Sequence, residues 1–346
     1  MIFIPYYFFF FTTLVIGTLM RISSFNWLYV WMGLEINLIS FIPLIISSSV
    51  DIETERRLKY FLVQALGSGL LLFGSLVYIN YPNCLILDWM STYIILFSLM
   101  IKLGMAPFHF WLPHVMSGIR WISCILLSVW QKVGPLFVLS SFIYYSSFYI
   151  NLICGLRAII GGLGGINQTQ IRVLLAYSSI GHIGWIFASI IYSFSLFLIY
   201  FLVYRLINLS IILLIDFASL KMTNLIRVKG LSIFIIIILC LLFLSLAGLP
   251  PFLGFFPKWI VIIKLIEDQI YLLRLVLIFG SLINIYYYLN IFFNIFINSF
   301  FRRELVLYNY VFNLKIFLVM FMSLFRTFFL GLGYILIYAM VLFYKS

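Results

Sequence analysis

Lys102-Leu-Gly-Met-Ala-Pro-Phe-His-Phe-Trp-Leu-Pro113 sets a cation inside an apolar run and follows it with two prolines. A lysine at the centre of a lipid-spanning helix costs about 2.5–3.5 kcal/mol on insertion scales. A proline in a helix interior removes a hydrogen bond, at roughly 3 kcal/mol in a soluble helix. Carrying both in one span implies a use for them. Transporters build their ion sites from discontinuous helices with an ionisable group near mid-membrane. The stretch predicts a proline-broken helix on an ion path.

The same shape returns further along, as Gly248-Leu-Pro-Pro-Phe-Leu-Gly-Phe-Phe-Pro-Lys-Trp259. Aligning Gly104 with Gly248 brings Pro107 onto Pro251, Phe108 onto Phe252 and Pro113 onto Pro257, at one offset (251 − 107 = 144). The charges do not superpose: Lys102 falls opposite Leu246, and Lys258 opposite His114. A broken-helix scaffold repeats while its ionisable group moves along it.

Composition sets the class. Of 346 residues 65% are hydrophobic and 9% charged, against about 25% charged in soluble domains. Apolar runs of about 20 residues, the length that crosses a bilayer, recur throughout. Ile233-Phe-Ile-Ile-Ile-Ile-Leu239 lacks the alternation of a β-barrel strand. The fold class is an all-α polytopic membrane protein. Its net charge of +12 is scattered, without the basic stripe and stacking aromatics of a nucleic-acid binder. Cys84, Cys124, Cys154 and Cys240 are isolated, so neither a disulfide framework nor a metal or iron–sulfur site is expected. The apolar start from Met1 carries no basic n-region, so no cleaved secretory signal is expected.

About eleven spans are expected, roughly 3–20, 25–46, 58–80, 88–111, 120–144, 147–166, 171–192, 194–218, 231–264, 270–297 and 320–343. Alternating sides collects Arg56, Arg57, Lys59, Arg120, Arg172, Lys221, Arg227, Lys229, Arg302, Arg303 and Lys315 on the N-terminal side. Arg21, Lys264, Arg274 and Lys345 fall opposite. The positive-inside rule then puts the N-terminus in the cytoplasm or a mitochondrial matrix. The fourth and ninth spans carry the proline breaks, and an odd shift between them inverts orientation. The expectation is two inverted five-helix repeats, residues 1–146 and 147–300, with 301–346 as a loop and one extra helix.

Few ionisable residues fall inside these spans. Glu35 lies in Trp31-Met-Gly-Leu-Glu-Ile-Asn37, Lys132 in Trp130-Gln-Lys-Val-Gly-Pro135, and Lys258 follows the second break. Static salt bridges, or snorkelling toward the interface, are the alternatives, chiefly for Lys258. For Glu35, Lys102 and Lys132 a functional role is favoured. An opposite charge at 4 Å is worth about 4 kcal/mol at an effective dielectric of 20. A carboxylate beside a lysine therefore holds its proton, and withdrawing the carboxylate while burial disfavours the cation releases it. A chain of such lysines is a relay. His109, after the first break, and His182, in Tyr177-Ser-Ser-Ile-Gly-His-Ile-Gly-Trp185, suit proton transfer near neutrality, with a core histidine as the alternative. His114 reads as interfacial, and Arg205 and Asp216 as structural. Gly161 and Gly165 form a small-xxx-small pair for close helix contact rather than a nucleotide loop.

Together with Asn167-Gln-Thr-Gln-Ile-Arg-Val-Leu-Leu-Ala-Tyr-Ser-Ser-Ile-Gly-His182, the two broken-helix stretches resemble the antiporter-like subunits of respiratory complex I over essentially the whole chain. The resemblance implies that Glu35 pairs with Lys102, that Lys132 bridges onward, that Lys258 lies near the exit, and that His182 lies on the axis between them. It implies a proton-translocating subunit of an NADH:ubiquinone reductase in the mitochondrial inner membrane, N-terminus in the matrix and C-terminus in the intermembrane space. Flavin, iron–sulfur clusters and quinone would belong to other subunits, with no cofactor on this chain. The partners implied are other membrane-arm subunits and lipids, with no nucleic acid and no homo-oligomer. The family carries further N-terminal spans, and nothing lined by them transfers. A scaffold subunit of the same arm and a stand-alone cation/proton antiporter are the competing readings.

Overall fold

Helix termini, rather than prolines, decide how this chain is cut. In the computed structural model, residues 5–45, 51–80, 85–142, 147–217, 233–250 and 252–301 are described. The expected eleventh span, Pro251, Cys84, Lys345 and the basic residues at 221–229 and 302–315 lie outside them. The chain divides into two compact units, Met1–Ser146 and Ser147–Ser346. Every described element is helical, and seven helices are long and apolar enough to cross a membrane. Trp89–Leu103, Ile150–Gly165 and Ile236–Ala247 are shorter apolar helical segments.

The first unit holds α1 (Pro5–Ser23), α2 (Trp27–Ile45), α3 (Asp51–Asn80), α4 (Leu85–Leu103), α5 (Trp111–Met116), α6 (Trp121–Ile125) and α7 (Val133–Phe142). Between α6 and α7 runs a π-helical segment, Leu126–Trp130. Close backbone approach organises the pairs. Gly17 of α1 faces Gly33 of α2, where a Cβ on either would meet the other's carbonyl oxygen at about 3 Å. Gly74 of α3 packs on Ile95 of α4, and Gly67 on the Lys102 stem. Without a hydrophobic drive between helices in lipid, such small residues let van der Waals contact hold them.

The second unit holds α8 (Ser147–Gly165), α9 (Ile171–Tyr192), α10 (Phe194–Phe217), α11 (Ile233–Ala247), α12 (Phe255–Glu267) and α13 (Tyr271–Phe301). Gly161 meets the backbone of Gly181 in α9, where a Cβ would lie 2.5 Å from the Gly181 nitrogen. Gly280 of α13 seats on the Ala158 carbonyl in the same way.

The broken helices differ from the expected proline breaks. Helix α4 ends at Leu103 because Gly104 takes φ +63°, a left-handed conformation cheap only for glycine. Gly104 N–H donates to Ile101 O at 3.1 Å and Met105 N–H to Met100 O at 3.0 Å, a Schellman motif. Helix α11 stops identically: Gly248 has φ +81°, its N–H donates to Ser245 O at 3.1 Å, and Leu249 N–H donates to Leu244 O at 3.4 Å. Pro107 lies beyond a helix that has already ended, and keeps it from resuming before α5.

The fifth expected span, 120–144, is also not one regular helix. Gln131 N–H donates to Leu126 O at 2.9 Å, five residues back, so the register slips by one residue ahead of Lys132. Lys132 therefore sits in a turn between the π segment and α7.

Candidate functional site: buried lysines at interrupted helices

In the first unit Lys102 occupies the last turn of α4 and is 7% exposed, and Lys132, in the turn before α7, is 3% exposed. Both line one cavity together with Asn37, Tyr60, Gln64 and Gln131. About 20 Å³ of it is open to water centres, enough for one ordered water among several polar partners. Two interruptions, the Schellman stop after Lys102 and the π slip before Lys132, are what aim two cations into one space.

The freed backbone is paid for locally. Gln64 Nε2 donates to Lys102 O at 3.1 Å, and Trp111 Nε1 to Ile101 O at 3.2 Å, so two C-terminal carbonyls of α4 are satisfied. Asn37 Oδ1 accepts from Gln131 Nε2 at 3.1 Å and ties α2 to the turn that carries Lys132. Arg56 of α3 donates to His114 O and to the Ser117 hydroxyl, holding the end of α5. Lys102 also stands at a helix C-terminus, whose partial negative charge favours a cation.

Glu35 is not in contact with Lys102. No ion pair within 4 Å joins it to Lys102 among the described residues, whereas Lys59–Glu55 and Lys264–Glu267 do pair, both exposed. Glu35 is half-buried on α2 and within electrostatic range of Lys102. Its neighbour Asn37 points into the cavity, and two residues on a helix are about 200° apart. Leu34 and Leu38 line the cavity as well, so Glu35 stands at the flank of that face of α2 and is not among the lining residues. His109 is 6% exposed, with Nδ1 3.2 Å from Pro107 O and its ring 4.2 Å from that of Phe110. It is buried in the α4–α5 connection and does not line the cavity.

Arg21 departs from its expected place among flanking charges. It is 2% exposed, with its guanidinium pressed against Gly134 of α7 and its stem against Gly33. It too lies within electrostatic range of Lys102, so a second buried cation and the half-buried Glu35 both act on that lysine.

In the second unit Lys258 is 4% exposed and its Nζ donates to Ala247 O at 2.7 Å. The ammonium caps the C-terminus of α11 directly beneath Gly248 and lies 6.0 Å from the Trp185 ring centroid. His182, one turn from Trp185 on α9, is 6% exposed, and its Nδ1 is 3.2 Å from the Tyr200 hydroxyl. The Tyr204 ring packs on it at 5.0 Å. A second small cavity is lined by His182, Tyr200, Tyr204, Gly254 and Pro257. Helices α9 and α12 thus meet around both groups, Lys258 facing Trp185 and His182 sharing a cavity with Pro257.

Arg157 of α8 carried no motif and was missed in the sequence. It is fully buried, its guanidinium 4.2 Å over the Phe187 ring, and none of its three nitrogens has a hydrogen-bond partner among the described residues. Its position inside an apolar span was the only available signal. Arg205 is half-buried over Phe201 at 5.1 Å. Cys124, Cys154 and Cys240 are buried and form no disulfide, and no group of three or more metal-binding side chains occurs among the described residues.

Residues 24–284 match the family described as NADH:quinone oxidoreductase/Mrp antiporter, transmembrane. The chain is 44% identical to an NADH-ubiquinone oxidoreductase chain 2 of Anopheles gambiae, over 80% of this chain and 82% of that protein. It is 40% identical to the chain 2 protein of Locusta migratoria, over 82% and 83%. Its fold superposes on a chain in a structure of respiratory complex I from Thermus thermophilus with a TM-score of 0.74. That match covers 84% of this chain and 70% of the other at 23% identity, a likeness of fold alone.

Proposed function

The chain belongs to the NADH:quinone oxidoreductase/Mrp antiporter transmembrane family, and on that footing we propose that it is a proton-translocating membrane subunit of respiratory NADH:ubiquinone oxidoreductase. Lys102 and Lys132 pass protons in the first unit, and His182 and Lys258 in the second. Glu35 acts on Lys102 from a distance through its field, and His109 supports the first break. The observation that carries the reading is the sharing of one polar cavity by Lys102 and Lys132. Two lysines that only snorkelled would not be buried there.

The topology proposed with it is of about eleven spans, the repeats 1–146 and 147–300 being inverted, and 301–346 adding a loop and a last helix. The matching left-handed stops at Gly104 and Gly248 support that repeat. The subunit resides in the mitochondrial inner membrane with its N-terminus in the matrix and its C-terminus in the intermembrane space. Other membrane-arm subunits are its partners, and the redox groups lie on subunits other than this one.

The test is Lys102→Met in the assembled enzyme, read as protons moved per NADH oxidised. A fall with assembly intact supports the relay. An unchanged ratio leaves the chain as a scaffold of the membrane arm.

A further inference from the structure

Behind His182 the second unit buries more polar atoms than its own side chains satisfy. Asn208 of α10 and Asn284, Tyr287 and Tyr288 of α13 are all at most 3% exposed. Among the described residues, Asn208 Oδ1, Asn284 Oδ1 and the hydroxyls of Tyr287 and Tyr288 each lack a hydrogen-bond partner of full geometry. The Tyr288 hydroxyl has the Ser178 and Tyr287 hydroxyls within hydrogen-bonding reach, though with neither does it make a well-formed bond. An unmade bond on a buried polar group costs about 1–3 kcal/mol, and native proteins relieve such a cost with ordered water.

These atoms are in sequence along one path. Asn208 Nδ2 donates to the Tyr204 hydroxyl at 2.8 Å, and the Tyr204 ring packs on His182. The Asn284 amide lies against Gly181, the residue next to His182, 3.1 Å from where a Cβ would stand. The Tyr287 and Tyr288 rings are 4.5 Å apart, and Tyr287 in turn lies against Gly165, the last residue of α8. The line therefore runs from His182 to the connection between α8 and α9, where Arg172 follows.

We propose that Asn208, Asn284, Tyr287 and Tyr288 form a hydrated branch that brings protons from the α8–α9 connection to His182, a role none of the relay lysines fills. The inference rests on the proton-translocating reading above. With Arg172 at its mouth on the expected matrix side, the branch is an uptake route. The amide oxygens accept from waters in the file, while the tyrosine hydroxyls both accept and donate, so the waters are held in order. Tyr287 closes the outer end, and Gly165 leaves room for its ring.

The test uses the assembled enzyme in inner-membrane vesicles, with Tyr288→Phe and Asn284→Leu made separately and Lys102→Met as reference. Each is read as protons moved per NADH oxidised, with NADH oxidation by an artificial acceptor as the control for the redox arm. The expected result is at least a twofold fall in the proton ratio for both branch variants, with acceptor activity unchanged. A fall for Lys102→Met with full ratios in both branch variants overturns the branch and leaves the relay standing. Full ratios in all three overturn the relay itself. A map of the unsubstituted complex at water-resolving resolution supplies a second reading, independent of how the variants fold. Waters bridging Asn208, Asn284 and Tyr288 are expected there, and a dry interior overturns the branch.

Discussion

Replacing Gly248 by alanine strikes the backbone stop and the buried lysine together. At φ +81° an L-residue costs roughly 1–2 kcal/mol over glycine. The added Cβ would also stand 2.8 Å from Lys258 Nζ, 3.0 Å from its Cδ and 3.1 Å from its Cε. A lysine end is flexible and yields, but yielding lifts the ammonium off Ala247 O, now 2.7 Å away. That forfeits a charge-assisted bond worth about 1.5–3 kcal/mol. The expected destabilisation is about 2.5–5 kcal/mol, with the backbone share appearing as thermal stability and the lysine share as proton movement. Gly69→Ala is the control: the site lies within α3 with nothing within 4 Å, so alanine should gain about 0.5–1 kcal/mol. The assay is heat inactivation of the purified assembled enzyme, alongside protons moved per NADH in vesicles. Should Gly248→Ala match Gly69→Ala in both readings, the left-handed stop does not position Lys258 and the account of that helix end fails.

Gln64→Leu leaves the Lys102 carbonyl without its cap, and heat inactivation should show a loss of about 1–3 kcal/mol. Gly161→Val drives a side chain into the backbone of Gly181, which cannot step aside; the complex should fail to assemble on a native gel, whereas Gly69→Val should assemble. Arg157→Met removes a buried cation whose nitrogens have no hydrogen-bond partner among the described residues. Its thermal stability should be unchanged or raised by about 1–4 kcal/mol, and a marked loss would show that the guanidinium is paired.

The broken helices show where reading a chain and folding it part company. Pro107 drew the eye because proline is costly in any helix, yet the stop is made by Gly104 three residues earlier, with backbone bonds closing it. Glycine followed by proline is itself a helix-end signal, so the location was legible even where the agent was misassigned. The burial of Lys102, Lys132, Lys258 and His182 was legible too, since a cation or imidazole amid apolar residues stands out by composition alone. That Glu35 acts on Lys102 across a gap and makes no direct pair was not, because the placement of α2 relative to α4 sets that distance and neither helix encodes it alone.

Composition and local chemistry, then, determine that this chain spans a membrane as helices, where the two glycine–proline interruptions fall and which few ionisable residues lie within the spans. Those properties follow from bilayer thickness and from backbone hydrogen bonding, which each segment must satisfy within itself. Packing alone decides that Gln131 meets Asn37 across 94 residues, that Arg21 is buried against Gly134 and that α13 sets two tyrosines behind His182. Such pairings depend on helix phase and close approach, and no local stretch of residues encodes them.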